Sequence, residues 1–330
     1  MPMEPLAAHD PQHARRLMSV AQMYYIQAET MEAIAHQIGV SRSTVSRLLK
    51  EARDTGLVQV RIVDPATPLN HLADQFARRF GVRAHLVRVR PGASHLFRLD
   101  QVSKLAADLL GRWVSDGDVV GIAWGTTVEA IAQHLRQRTL SGVTVTGLNG
   151  GANHQTTGLP YTGSILARFA QAFDGQEQLF ALPAFFDDPA TRAAMWRERS
   201  TRHMLSVRAE CRIALFGVGS LDSELQSHVY SANYLSDADL AQLRGDGVVG
   251  DVCTVMLRSD GSWRDIALNR RATGMTPDEL RTIPKRLCVV AGISKVAPLL
   301  GALRLGVMTD LVIDEETARE ALRRIDAATG

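Results

Sequence analysis

Cysteine is scarce, with three residues in 330 and no C-x-x-C pair. Cys211, Cys253 and Cys288 each sit inside an apolar run (CRIALF, VCTVML, LCVVAG). That setting points to buried free thiols and argues against a disulfide framework or a cysteine metal site. Charge of one sign is also lacking: 37 Lys and Arg stand against 35 Asp and Glu, a net of +2. A polyanionic partner must therefore be argued from where the charges lie, not from their sum. No long uncharged apolar run exists. Residues 287–313 come nearest, but Lys295, Arg304 and Asp310 interrupt them, so they cannot cheaply span a bilayer. Glu4, His9 and Asp10 leave no apolar segment for a secretory signal. A cytoplasmic protein without membrane contact is expected. What is present, 45% hydrophobic and 22% charged residues, is ordinary for a globular chain, and the length favours two domains.

The chain opens with helical patterning. Leu17, Val20, Ala21, Tyr24 and Tyr25 recur at i, i+3, i+4, i+7 and i+8, one apolar face of a helix over 12–27. A second helix is expected from about Thr30 to Ile38, with Thr30 as N-cap and Gly39 ending it. A third runs from Ser41 to about Thr55, with Gly56 beyond it. LVQVRIV (57–63) alternates like a short strand that could form a wing. After the DPATP break, LNHLADQFARRFG reads as an amphipathic linker helix. These boundaries give a small helical domain at 1–64, a linker helix at 65–80 and a larger domain at 81–330.

From residue 83 onward apolar strands alternate with helices. RAHLVRV, DVVGIAW, GVTVTGLNGG, QLFALPA, CRIALFGVG, VCTVMLR, RLCVVAG and DLVID read as strands; residues 189–210 read as one long helix opened by Pro189. The fold class expected is α/β: a Rossmann-like, mainly parallel sheet with helices on both faces, behind a small all-α helix-turn-helix domain.

In the first domain Ile34, Ala35, Ile38, Val40, Val45, Leu48 and Leu49 are the positions expected to be buried. Ala35 allows two helices to cross closely, and Gly39 allows the left-handed turn between them. The remaining positions of the third helix, Ser41, Arg42, Ser43, Thr44, Ser46, Arg47 and Lys50, form a polar face with no carboxylate before Glu51. That face suits a recognition helix whose first residues reach base edges while Arg and Lys reach phosphates. The bland alternative, a solvated helical hairpin, leaves the Ala, Gly and Val spacing unexplained. Ser41, Arg42, Ser43, Thr44, Arg47 and Lys50 are the expected DNA-binding residues, with Lys50 on phosphate. One such unit buries little surface, so a dimer on a two-fold operator is expected.

Four loops lie at predicted strand ends, where open α/β sheets bind ligands. WGTT (124–127) joins a strand to a helix; Gly125 allows close backbone approach, and Thr126 and Thr127 offer hydroxyls and amides to an anion. A plain N-cap explains WGTT equally well. Asn149, Gly150 and Gly151 follow VTVTGL, and GVGSLD, ending in Asp222, is another such loop. Lys295 opens a helix where an acidic residue is normally preferred, which suggests that it faces a ligand.

Catalytic and cofactor signals are thin. GDGVVG (245–250) matches G-x-G-x-x-G, but it follows a helix and precedes a strand, the reverse of the dinucleotide fingerprint. His9 and His13 are spaced like metal ligands around Pro11 without further ligands. Asp187, Asp222 and Asp251 are candidate bases without a paired partner. No cofactor, no metal and no catalytic residue is expected.

Taken together, the N-terminal helix-turn-helix, GIAWGTT, GLNGG, LFGVGSLD, VGDVCTVMLRSDG and the stretch VVAGISKVAPLLGALRLGVMTDLVIDEETAREA resemble the SorC-type sugar-binding transcriptional regulators, over about residues 13–325. The resemblance implies an isomerase-like effector domain, tetrameric assembly through it, and a sugar, polyol or sugar-phosphate effector. It carries over Gly125, Thr126, Thr127 and Lys295 as ligand-site residues. Relatives that bind phosphorylated sugars often have an arginine where this chain has Asn149, which raises an uncharged sugar or polyol to parity. The expected function is an operator-binding regulator controlled by a small carbohydrate. The alternatives are a sugar-phosphate isomerase or deaminase with an appended DNA-binding domain, and a helix-turn-helix used for protein contact alone.

Overall fold

The computed structural model describes residues 11–58, 68–90, 92–153, 159–221, 223 and 227–329. It divides into two compact units, Met1–Ala66 and Thr67–Gly330.

The smaller unit is built from helices Pro11–Tyr25, Met31–Gln37 and Arg42–Asp54. Thr30 caps the second, its side chain accepting from the Ala33 amide; Ser41 caps the third, accepting from the Thr44 amide. Between them Gly39 takes φ +66°, the left-handed turn that only glycine adopts without strain. Leu17 and Val20 from the first helix, Ile34 and Ala35 from the second, and Val45, Leu48 and Leu49 from the third form one buried cluster, with Ile38 and Val40 packed at its edge. The expected LVQVRIV strand falls mostly outside the described residues, as do His9 and the DPATP break.

The larger unit carries strands β1 (Arg83–Val87), β2 (Val119–Ile122), β3 (Thr144–Gly147), β4 (Gln176–Gln178), β5 (Ile213–Gly217), β6 (Gly219–Ser220), β7 (Val248–Val252), β8 (Val255–Arg258), β9 (Lys285–Val290) and β10 (Asp310–Asp314). Seven form a parallel sheet in the order β1-β10-β9-β5-β2-β3-β4. Its central strands β2, β5, β9 and β10 are largely apolar and buried because both faces are covered, whereas the edge strands β1 and β4 are more polar and less buried. Along β5, Ile213 and Leu215 join one core cluster while Ala214 and Phe216 join the other; β9 splits Leu287 and Val289 from Cys288 and Val290 in the same way. Helices His95–Trp113 and Leu159–Ala172 cover the first face, and Val296–Leu305 and Glu315–Thr329 the second. Helix Pro68–Phe80, read from the sequence as a linker, sends Leu72 and Phe76 into the second cluster.

Three local readings need correction. Residues 189–210 form two helices, Pro189–Met195 and Arg199–Ala209. The break tightens through Arg197 N–H to the Ala194 carbonyl and Glu198 N–H to that of Met195. It lets Trp196 meet Phe180 and Phe186 edge-on, each with centroids 6.4 Å apart. The strand expected at QLFALPA is β4 at 176–178, because the chain then leaves the sheet edge to bury Phe180 and Leu182 in that aromatic cluster. VCTVMLR is not one strand but the turn and second arm of the antiparallel β7–β8 hairpin, which with β6 makes a separate three-stranded sheet. Cys253 and Thr254 turn it at φ +50° and +64°.

Candidate functional site

Strand order locates a crevice. From β2 the chain moves outward through β3 and β4; from β5 it moves the other way through β9 and β10, so β2 and β5 are neighbours from which successive connections diverge. Such a switch point opens a cleft at the strands' carboxyl ends. A cavity of about 60 Å³ sits there, lined by the loop after β2 (Gly125, Thr126, Thr127), by Gly217 at the end of β5 and by Gly219 at the start of β6.

The polar groups around it come from five connections. Gly125, at φ +141°, precedes helix Thr126–Ala132. Asn149, one of the lining residues, is buried, and its Oδ1 is an acceptor without a hydrogen-bond partner. Lys295 follows β9 and donates to Ser227 Oγ at 2.8 Å. Burial pushes its pKa down to about 8, and Asp251 partly opposes that shift. Asp251, on β7, accepts from Tyr230 Oη at 2.8 Å and from the Thr254 amide at 2.9 Å. Desolvation raises its pKa, with Tyr230, Thr254 and Lys295 acting the other way. Gly219 is a glycine for a steric reason: a Cβ there would collide with Asp251 Oδ1. His228 also lines the cavity and stacks on Tyr161 with centroids 4.6 Å apart.

Of the expected ligand residues, Gly125, Thr126, Thr127, Asn149 and Lys295 converge on this cavity. Gly150 and Gly151 do not line it. Their glycines serve packing: a Cβ on Gly150 would strike the Pro183 and Leu182 carbonyls, and one on Gly151 would strike Thr162. Their carbonyls accept from Trp124 Nε1 and Tyr234 Oη, both at 2.8 Å. Asp222 lies outside the described residues. Ser227, His228 and Thr254 were not anticipated; no motif marks them, and only the fold brings them to the crevice. As a base, Asp251 has both oxygens engaged, while Asp187 is exposed and does not line the cavity. No group of three or more potential metal ligands occurs among the described residues, and none of their helices is long and apolar enough to cross a membrane.

On the smaller unit, Ser41, Arg42, Ser43, Arg47 and Lys50 are exposed and Thr44 is half-buried. They share one helix because Val45, Leu48 and Leu49 take the opposite face into the core. Glu51, the first carboxylate, meets His13 of the first helix at 2.7 Å. The Ser41 hydroxyl is occupied locally, 2.8 Å from Ser43 Oγ and 2.9 Å from Thr44 Oγ1.

Comparison with known proteins bears on both regions. A family model described as "Putative sugar-binding domain" matches residues 64–323, and one for sigma-70 region 4 matches residues 15–55. The deoxyribonucleoside regulator of Bacillus subtilis (strain 168) is 31% identical over 303 residues, covering 92% of this chain and 95% of that protein. Among solved structures, a domain of "a possible sugar-binding transcriptional regulator" from Arthrobacter aurescens TC1 shares 42% identity at a TM-score of 0.72, covering 78% of this chain and 99% of that one. The full-length sorbitol operon regulator SorC from Klebsiella pneumoniae shares 25% identity at a TM-score of 0.68, covering 93% and 98%.

Proposed function

The chain belongs to the SorC-type family of sugar-binding transcriptional regulators, DNA-binding proteins under sugar control, and from that premise we propose that the crevice between β2 and β5 is its effector site. The observation that carries this is the unmet Asn149 acceptor beside the Lys295 ammonium and the Asp251 carboxylate. Hydroxyl groups of a sugar or polyol satisfy Asn149 and Asp251, and Lys295 with Thr126 and Thr127 can take an additional phosphate. Relatives named for deoxyribonucleosides and sorbitol fit an effector of this polarity.

The exposed face Arg42, Ser43, Thr44 and Arg47 reads base edges, and Lys50 contacts phosphate. The working form is a homotetramer on a two-fold operator. Effector binding shifts the assembly between two arrangements; a coupling of about 1–3 kcal/mol changes operator affinity roughly 5- to 150-fold.

The test pairs two sets of variants on DNA upstream of the gene. Arg42→Ala or Arg47→Ala weakens binding by about 1–3 kcal/mol where the side chain reads a base, or reduces the salt slope by about one where it contacts phosphate. Lys295→Ala leaves operator binding intact and abolishes the response to a panel of sugars, polyols and their phosphates. A Lys295→Ala protein that still responds overturns the site; affinity and salt dependence both unchanged in both arginine variants overturn the interface.

A further inference from the structure

A second chamber, of about 140 Å³, lies against the polar cavity. The two share Thr126, Thr127, Val218 and Lys295, so one wall is common. Beyond that wall their chemistry differs. Asn149, Ser227 and Asp251 line the first. Leu96, Leu99, Val289, Val290 and Ala291 close the second around one added polar group, His95.

Both ring nitrogens of His95 are shielded from solvent and make no hydrogen bond. Burial first, then the Lys295 charge, push its pKa below the usual imidazole value; Asp314 and the nearby Ala291 carbonyl, which forms no proper hydrogen bond with the ring, oppose this. At neutral pH the ring therefore offers one donor and one acceptor and no charge. A buried pair of unmet polar atoms calls for a partner.

The outside of the chamber is equally distinctive. Among the described residues of the larger unit, the exposed large apolar side chains are Leu96, Phe97 and Ile293. They belong to two segments that meet, since a Cβ on Gly292 would stand 3.0 Å from His95 Cδ2. Apolar surface that is rare elsewhere on the unit thus borders the chamber.

We infer that this chamber extends the effector pocket and receives an uncharged, ring-sized apolar group of the effector, with a hydroxyl, ether or carbonyl oxygen of the same ligand facing His95. The effector is then amphipathic: a polyhydroxylated part lies in the polar cavity and an alkyl or aryl substituent in the chamber. The inference rests on reading the polar cavity as the effector site. Size agrees, because an apolar cavity of about 150 Å³ takes up benzene. Charge agrees as well, since Lys295, the cation on the common wall, donates to Ser227 of the polar side.

Cyclohexanol probes the chamber alone, titrated into the full chain with ¹³C-labelled Leu and Val methyl groups. The expected result is saturable shifts confined to Leu96, Leu99, Val218, Val289 and Val290. Binding weakens at least tenfold in Leu96→Trp, which fills the mouth from an exposed position, and in Ala291→Val, which fills the interior. His95→Phe weakens cyclohexanol several-fold and leaves methylcyclohexane unchanged. Shifts that do not saturate, or binding in both filled variants that equals that of the wild type, overturn the chamber. In the second arm, phenyl and methyl glycosides of the same sugars are compared by thermal shift. A phenyl glycoside bound more tightly by the wild type but not by Leu96→Trp supports the extension; equal binding of the pair overturns it. A chain that takes up cyclohexanol but no carbohydrate overturns the effector reading, and the extension with it. A chain that responds to sugars but takes up no cyclohexanol overturns the chamber alone.

Discussion

The two units keep their polar groups in opposite conditions. On the smaller unit the face proposed to read DNA is exposed, its side chains standing away from a core of seven buried residues. In the larger unit the groups proposed to meet the effector are withdrawn from water, and several are held at a cost: Asn149 Oδ1 and both His95 nitrogens lack partners, and Lys295 is desolvated. Apart from the Ser41 cap, the exposed face can change with little effect on stability, because little of it is buried. A buried polar pocket couples stability to occupancy, because each unmet group is relieved when a ligand arrives.

The largest expected effect comes from shrinking the smaller core. Ile34 is fully buried, and Ile34→Ala removes packing worth about 2–5 kcal/mol. The same deletion in Leu215→Ala, also fully buried, is spread over a sheet with two covered faces. Calorimetry of Ile34→Ala is expected to show the smaller unit's transition moved to lower temperature, operator binding lost and the larger unit's transition unchanged. A single transition that moves for both variants breaks the comparison, since the units would then not unfold separately.

A smaller effect separates the chemistry of the pocket. Lys295 loses its proton near pH 8 when folded and near 10.5 when unfolded. Below pH 8 both states hold the proton and the desolvation cost is present in full. Between about pH 8 and 10.5 the unfolded chain binds more protons, so stability rises with pH across that window. Lys295→Met is expected to flatten this rise in denaturation measured from pH 7 to 10. The same titration sharpens the nature of the effector: a phosphorylated ligand loses affinity as the ammonium disappears above about pH 8, whereas an uncharged one does not.

What could be read from the sequence follows the same division. Helix ends in the smaller unit were legible because caps are local: Thr30, Gly39 and Ser41 do their work within a few residues. The central parallel strands were legible because burial on both faces leaves continuous apolar runs such as DLVID, whereas the polar edge strand β4 was displaced from its expected place. The β7–β8 hairpin was not, because its turn uses Cys253 and Thr254 at positive φ where Asn and Gly are the usual signal. That turn is closed locally by the Thr254 amide donating to Asp251 Oδ2, with Cys and Thr at the positions where turn residues are looked for. Gly150 and Gly151 show the converse limit. Their glycines mark close approaches of Pro183, Leu182 and Thr162, which only the tertiary packing reveals. The break at Trp196 has no Gly or Pro to mark it, since it serves packing against Phe180 and Phe186.

The smallest expected effect concerns Ser41, which stands among the expected DNA-binding residues although its hydroxyl already caps the recognition helix. Losing an N-cap serine to alanine costs about 1 kcal/mol, whereas glycine costs only a few tenths. If Ser41 acts by capping, Ser41→Ala lowers the smaller unit's melting temperature and operator affinity together, and Ser41→Gly retains most of both. If the hydroxyl touches DNA directly, both variants lose affinity alike while their stabilities differ. Paired melting and operator titrations of the two variants therefore decide whether Ser41 belongs to the face that reads DNA or to the scaffold that presents it.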